Sequence, residues 1–296
     1  MEIVFLGTAG AVPTKERSHS SVFIRYRNEG ILVDCGEGTQ RQLKFAGIRP
    51  GMITKILITH WHGDHTLGLP GLLESMGLTE CENKVTIYGP KGTKEHFGWI
   101  EKAFTFEEKV NHDIVEVKKG IIFENNDYFI EALPLEHGIT CYGYAIIEKD
   151  TRKMKPAALK KLGVPEGPLV GRLQEGKPIT VKGNVVSPDD VSSVVKGRRI
   201  AIISDTLPCK NAVELATGAD VVICEATYAD DLAEKAQAYN HLTARQAAQI
   251  ASSSGAKKLI LTHFSQRYKS VHQIEDDART VFDNTVCAKD FMKVVV

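Results

Sequence analysis

Short apolar runs, rich in β-branched residues and bounded by turn residues, recur along the chain and predict strands at 3–6, 21–26, 30–34, 55–59, 84–88, 121–124 and 128–133. A second set is predicted at 142–147, 199–204, 220–224 and 258–262, interleaved with helical patterns at 67–76, 207–216 and 243–253. Several strands, such as Ile56-Leu57-Ile58 and Val221-Val222-Ile223, are apolar on both faces. Such strands need a cover on each side, and a four-layer αββα sandwich provides it: helices outside, the second sheet inside. An α/β class and a single domain over 1–296 are therefore expected. Between 151 and 182 the pattern changes, because Pro156, Pro165, Pro168 and Pro178 interrupt a lysine-rich stretch. This segment reads as an inserted flexible arm. No repeat or low-complexity tract occurs, and the last dozen residues carry no interpretable motif.

Composition adds little globally. The 296 residues are 43% hydrophobic, enough for one large core. Lysine plus arginine and aspartate plus glutamate are equal at 37 each, so the overall balance points to neither nucleic acid nor membrane. Locally the picture differs: 149–199 holds twelve basic side chains against five acidic, net +7. Six cysteines (Cys35, Cys81, Cys141, Cys209, Cys224, Cys287) are scattered with no CxxC pair, which fits a reducing compartment. The chain opens directly into its first strand pattern, and no apolar stretch of roughly 18 residues occurs. An untargeted cytoplasmic protein with no membrane association is expected.

The strongest chemical signal is Thr59-His60-Trp61-His62-Gly63-Asp64-His65, just past an apolar strand and just before a helical run. Alternate residues His60 and His62 can point into one site, while Asp64 and His65, at the turn into the helix, face a neighbouring one. Four such groups against an apolar strand carry a heavy burial cost unless a cation offsets it. Two adjacent metals fit, with further ligands offered by His137, Asp205 and His263, each after its own apolar strand. Imidazole and carboxylate without thiolate favour zinc, with manganese or iron as alternatives.

With these motifs on the page, the chain resembles the metallo-β-lactamase superfamily and, within it, the tRNase Z family, over roughly residues 1–282. The supporting text is Val33-Asp34-Cys35-Gly36-Glu37-Gly38-Thr39-Gln40, the His60 cluster, His137-Gly138, Ser204-Asp205-Thr206, Glu225-Ala226-Thr227, His241-Leu242-Thr243 and Thr262-His263-Phe264-Ser265-Gln266-Arg267-Tyr268. The resemblance implies a zinc-dependent endoribonuclease that removes the 3′ trailer from precursor tRNA and leaves a 3′-hydroxyl. His60, His62 and His137 would hold one zinc ion, Asp64, His65 and His263 a second, with Asp205 bridging, giving two Zn2+ per chain. Asp34 would orient the histidines. Such ions supply a nucleophile at neutral pH, with Asp64 orienting or deprotonating the attacking water. His241, oriented by Glu225, would protonate the leaving 3′ oxygen. Arg267 and Ser265 would meet a phosphate near the cut.

Gly7-Thr8-Ala9-Gly10-Ala11-Val12-Pro13-Thr14, with Lys15 and Arg17, resembles the family stretch lining the exit for the RNA 3′ end. Here Arg17-Ser18-His19-Ser20 departs from the family's Arg-Asn-Val-Ser form. The arm, with Arg152, Lys153, Lys155 and the Gly167-Pro168 turn, resembles the exosite that grips the tRNA body. A homodimer and no other protein partner are implied. The alternative activity is hydrolysis of a small phosphodiester on the same metals.

Overall fold

The computed structural model describes residues 1–79, 83–105 and 110–296; Cys81 lies outside them. The chain divides into two compact units. The larger comprises 1–124, 130–146 and 199–296, the smaller 125–129 and 147–198.

The larger unit is built on two seven-stranded sheets. One runs, edge to edge, Lys293–Val295, Glu2–Gly7, Ser21–Tyr26, Glu29–Val33, Ile53–Leu57, Val85–Gly89, His112–Glu116. The other runs Thr285–Cys287, Leu259–Thr262, Val221–Glu225, Arg199–Ile203, Cys141–Glu148, Tyr128–Leu135, Gly120–Glu124. Helices cover the outer face of the first sheet through one apolar cluster. In it Leu43, Leu72, Met76 and Phe97 meet Phe23, Leu32, Ile56 and Ile87. The helices Lys210–Ala216, Ala244–Ser253 and His272–Arg279 pack on the second sheet. The sheets meet where the Tyr144 hydroxyl donates to the Ile58 carbonyl at 2.6 Å. Val221–Glu225 and Leu259–Thr262 are buried along their whole length, as the αββα sandwich requires. Among the described residues no helix is long and apolar enough to cross a membrane, and the described cysteines are all free thiols.

Parallel pairing joins Glu29–Val33, Ile53–Leu57, Val85–Gly89 and His112–Glu116 in the first sheet. It joins Arg199–Ile203, Val221–Glu225, Leu259–Thr262 and Thr285–Cys287 in the second. Parallel strands deliver their C-terminal ends to one edge, where active sites of such sheets form.

Some elements differ from expectation. The helix expected over 67–76 runs Leu69–Leu78 and is preceded by a separate helical turn, Gly63–Thr66. The break at Gly68 lies where a Cβ would fall 2.0 Å from the Gly36 carbonyl oxygen. The helix expected from 207 begins at Lys210, after Pro208. In the smaller unit the prolines open elements instead of interrupting them: Pro156 and Pro168 occupy first-turn positions of Pro156–Lys161 and Pro168–Gln174, where a missing N–H costs nothing. Thr151–Met154 pairs with Ser192–Val195 and Ile179–Val181 with Asn184–Val186, so the folded unit extends past 182. Val164, Leu173, Ile179, Val186 and Val191 form its own apolar core.

Candidate metal centre and active site

Every metal-ligand candidate sits just past a strand end. His60 and His62 follow Ile53–Leu57, with Asp64 and His65 opening the helical turn Gly63–Thr66. His137 follows Tyr128–Leu135, Asp205 follows Arg199–Ile203, and His263 follows Leu259–Thr262. The fold gathers them into two donor groups, His60/His62/His137/Asp205 and Asp64/His65/His263, overlapped by a third set, Asp205/His241/His263, with the ligand atoms of each within 4.8 Å of one another. Asp205 joins the groups: its Oδ2 lies 3.6 Å from both His60 Nε2 and His65 Nε2, and its Oδ1 3.4 Å from His263 Nε2. Asp64 Oδ2 is 3.3 Å from both His65 Nε2 and His263 Nε2.

Outer partners fix which ring nitrogen faces inward. His137 Nδ1 donates to the Asn240 carbonyl at 2.9 Å, which settles its tautomer because a carbonyl only accepts. His65 Nδ1 donates to Asp34 Oδ2 at 2.7 Å. The other Asp34 oxygen accepts the Thr59 amide at 2.8 Å, and the Thr59 hydroxyl, donating to Asp34, accepts from His60 Nδ1 at 3.0 Å. Thr227 repeats the device: its hydroxyl donates to Glu225 Oε2 at 2.6 Å and accepts from His263 Nδ1 at 2.9 Å. Four imidazoles thus turn Nε2 inward, whereas His62 offers Nδ1, 3.0 Å from His60 Nε2. Asp34 and His263 adopt left-handed backbone, φ 56° and 60°, an uncommon conformation that buried functional sites retain. Gly10 lets the chain pass the His263 ring, since a Cβ there would lie 2.7 Å from it.

The electrostatics suit cations. Burial, reinforced by neighbouring histidines, lowers the His60 and His62 imidazoles below the ordinary range, so both offer a lone pair. Burial opposes the charged form of Asp64 and Asp205 as well, yet the facing histidines hold both carboxyls well below the usual range. Burial would lower His65, but Asp205 and Asp34 raise it well above. Each buried carboxylate costs several kcal/mol even after relaxation, against a domain stability of only ~5–15 kcal/mol. Divalent ions, whose binding at structural sites returns ~10–16 kcal/mol, outweigh that cost. No thiolate joins the set. The Cys141 thiol, 3.4 Å from the Asp205 carbonyl, is pushed well above its ordinary value by burial and nearby carboxylates.

Beside the donors opens a cleft of about 640 Å³, lined by Asp64, His137, Asp205, His241 and His263 together with Ala11, Val12, Pro13 and His19. His241 Nδ1 lies 3.1 Å from Oε1 of fully buried Glu225, which also accepts the Thr206 amide at 2.8 Å. Burial lowers the His241 imidazole, but Glu225 outweighs it and lifts the ring to about 9. Glu225 thus favours the protonated ring.

The remaining sequence-derived candidates are outside the cleft lining. Arg17 is half-buried and its Nη2 donates to the Tyr268 carbonyl at 2.6 Å, a tie between two loops. Lys15 is exposed, and Arg267 is exposed over the Tyr228 ring with its Nε 3.3 Å from Ser265 Oγ. In the smaller unit, Arg152 Nη1 bonds Asp189 at 2.7 Å, Lys153 and Lys155 are exposed, and Gly167-Pro168 opens a helix. Asp290 escaped sequence reasoning. Its oxygens accept the Thr8 hydroxyl and the Ser18 amide, both at 2.8 Å, closing the neck of the loop that carries Ala11–Pro13. Burial raises its carboxyl above the usual range.

A family model described as Anti-Pycsar protein Apyc1 matches residues 1–145. Relatives named Ribonuclease Z match along the whole chain. That of Methanothermobacter thermautotrophicus is 41% identical over 297 residues, covering 100% of this chain and 97% of its own. That of Protochlamydia amoebophila is 40% identical over 294 residues, covering 98% and 95%. Among solved structures, human tRNase Z, short form, superposes with a TM-score of 0.73 at 28% identity, covering 100% of this chain and 99% of that one. The metallo-β-lactamase fold protein YhfI from Bacillus subtilis, at 18% identity, TM-score 0.71 and 99% and 98% coverage, shares the fold.

Proposed function

The chain belongs to the ribonuclease Z family on the metallo-β-lactamase fold, and on that premise we propose how its residues cut precursor tRNA. It is a metal-dependent endoribonuclease of tRNA 3′ processing. In our reading the metals would be two zinc ions per chain, which His60, His62 and His137 and Asp64, His65 and His263 would hold, with Asp205 a further ligand to them. The observation carrying this is that both donor groups share the Asp205 carboxylate. Ions bound there supply Lewis acidity at a phosphate oxygen and make water a competent nucleophile at neutral pH.

The protein supplies the remaining work. Asp64, held ionised, accepts a hydrogen bond from the attacking water and orients it. Glu225 fixes His241 through Nδ1, leaving Nε2 to donate its proton to the departing 3′ oxygen of the tRNA. The smaller unit, basic in sequence, grips the tRNA body, and Arg267 with Ser265 meets a phosphate near the cut. Family membership also supports a homodimer and a cytoplasmic setting. Hydrolysis of a small phosphodiester is the weaker reading, since the ribonuclease Z relatives align along the whole chain.

Incubating the purified protein with end-labelled precursor tRNA should yield a tRNA ending in a 3′-hydroxyl and a 5′-phosphorylated trailer, with about two zinc per chain by elemental analysis and loss of activity on chelation. An intact precursor alongside rapid hydrolysis of a small diester would reverse the assignment.

The smaller unit is tested by excising all of it beyond its neck. Glu148 and Arg198 form its neck, with the Glu148 amide donating to the Arg198 carbonyl at 2.9 Å and the side chains ion-paired. Replacing 149–197 by a short glycine turn should raise KM for precursor tRNA about a hundredfold or more, the scale of losing several phosphate contacts. Cleavage of bis(p-nitrophenyl) phosphate should persist. Unchanged KM would remove the unit from substrate binding.

A further inference from the structure

Resting on the RNA-cleaving reading above, we propose that His19 is a substrate-contact residue, donating a ring N–H to a sugar or phosphate oxygen of the nucleotide flanking the scissile bond. It stands where the family resemblance leads one to expect valine.

Four observations converge on it. The side chain is 7% exposed, yet it lines the cleft that the donor groups also line. Among the described residues its ring bonds to no other protein group, and its nitrogens are not among the buried atoms left without a partner, so solvent reaches them. A ring nitrogen that solvent reaches and no protein group occupies is free to exchange water for an incoming oxygen. It is not a metal ligand, since it joins none of the donor groups.

The ring is also not needed to hold its own segment. The backbone is already fixed by the bridge between Ala9 and His19, by the Ala9 amide to the Ser18 carbonyl at 2.9 Å, and by the Gly36 amide to the Ser20 carbonyl at 3.2 Å. His19 is pressed so closely on the catalytic turn that a Cβ on Gly36 would lie 2.5 Å from His19 Cβ and 2.4 Å from the Asp64 carbonyl oxygen. Its position is therefore set relative to Asp64. Ala11, Val12 and Pro13, which line the same cleft, offer apolar side chains only. An RNA strand entering this cleft brings sugar and phosphate oxygens beside the scissile bond, and these accept from a ring N–H.

His19→Val keeps an apolar strand-compatible residue, and His19→Asn keeps a donor. We expect kcat/KM on precursor tRNA to fall about tenfold or more in His19→Val, the scale of one lost hydrogen bond to a charged or polar oxygen, with partial rescue in His19→Asn. Metal content and cleavage of bis(p-nitrophenyl) phosphate should match wild type. Precursors carrying a 2′-deoxy or a phosphorothioate substitution beside the cut then identify the oxygen, because the loss is not additive with His19→Val only for the oxygen contacted. Unchanged precursor cleavage, additive losses at both positions, or parallel loss of metal and diesterase activity would each overturn the proposal. A wild-type protein that leaves precursor tRNA intact would instead undercut the functional reading itself.

Discussion

Asp205→Ala should leave a folded protein that scarcely cuts. The carboxylate is 2% exposed, spans both donor groups and faces His60, His65, His137 and His263 within 3.9 Å. On the two-zinc reading, removing it would take a shared ligand from both ions at once, so the loss would be that of the catalytic unit as a whole, about ten-thousandfold in kcat/KM. Elemental analysis should show metal content falling well below two per chain, with far-ultraviolet circular dichroism unchanged. A variant that keeps both metals and cleaves within tenfold of wild type would refute the bridging role.

The second large effect separates metal chemistry from proton transfer. His241→Ala should retain both metals, since His241 is not among the assigned ligands, while kcat on precursor tRNA falls by about 10²–10⁴, the usual worth of a general acid. An alkoxide leaves poorly unless protonated, whereas p-nitrophenolate leaves without help. Hydrolysis of bis(p-nitrophenyl) phosphate should consequently change little. Equal losses on the two substrates would mean that His241 shapes the metal site and donates no proton. Glu225→Gln should reproduce part of the effect, because it removes the charge that keeps the His241 ring protonated.

The site was more legible in the sequence than the frame around it. Seven ligand candidates could be read because each stands immediately after a dense apolar strand, and the structure brings all seven together. The groups that aim them were harder to see. Thr59 and Thr227 are ordinary strand-end residues whose meaning is a hydroxyl that donates to an acid while accepting from a histidine. Arg17, expected in the stretch lining the RNA exit, also has a partner no local pattern announces: its guanidinium donates to the Tyr268 carbonyl, 251 residues away in sequence.

Short elements were missed for a related reason. Lys293–Val295 is a strand only because it pairs with Glu2–Val4, and Asp290 matters only because Thr8 and Ser18 arrive beside it. Thr39–Phe45 starts after a left-handed glycine with no side-chain cap, and little in its periodicity separates it from a loop. Such features depend on long-range pairing, to which local propensity is blind.

The smaller unit has a thermodynamic side. Its apolar core is five buried residues within about fifty, beside a larger unit with two complete sheets. A core that small is a weak cooperative element, able to open while the sheets remain intact. Amide protons of Thr151–Met154 and Ile179–Val181 should then exchange through sub-global opening, well before those of Val221–Glu225. Affinity for RNA would carry the free energy of closing this foldon, so solutes and temperature could tune substrate capture without touching the chemical step.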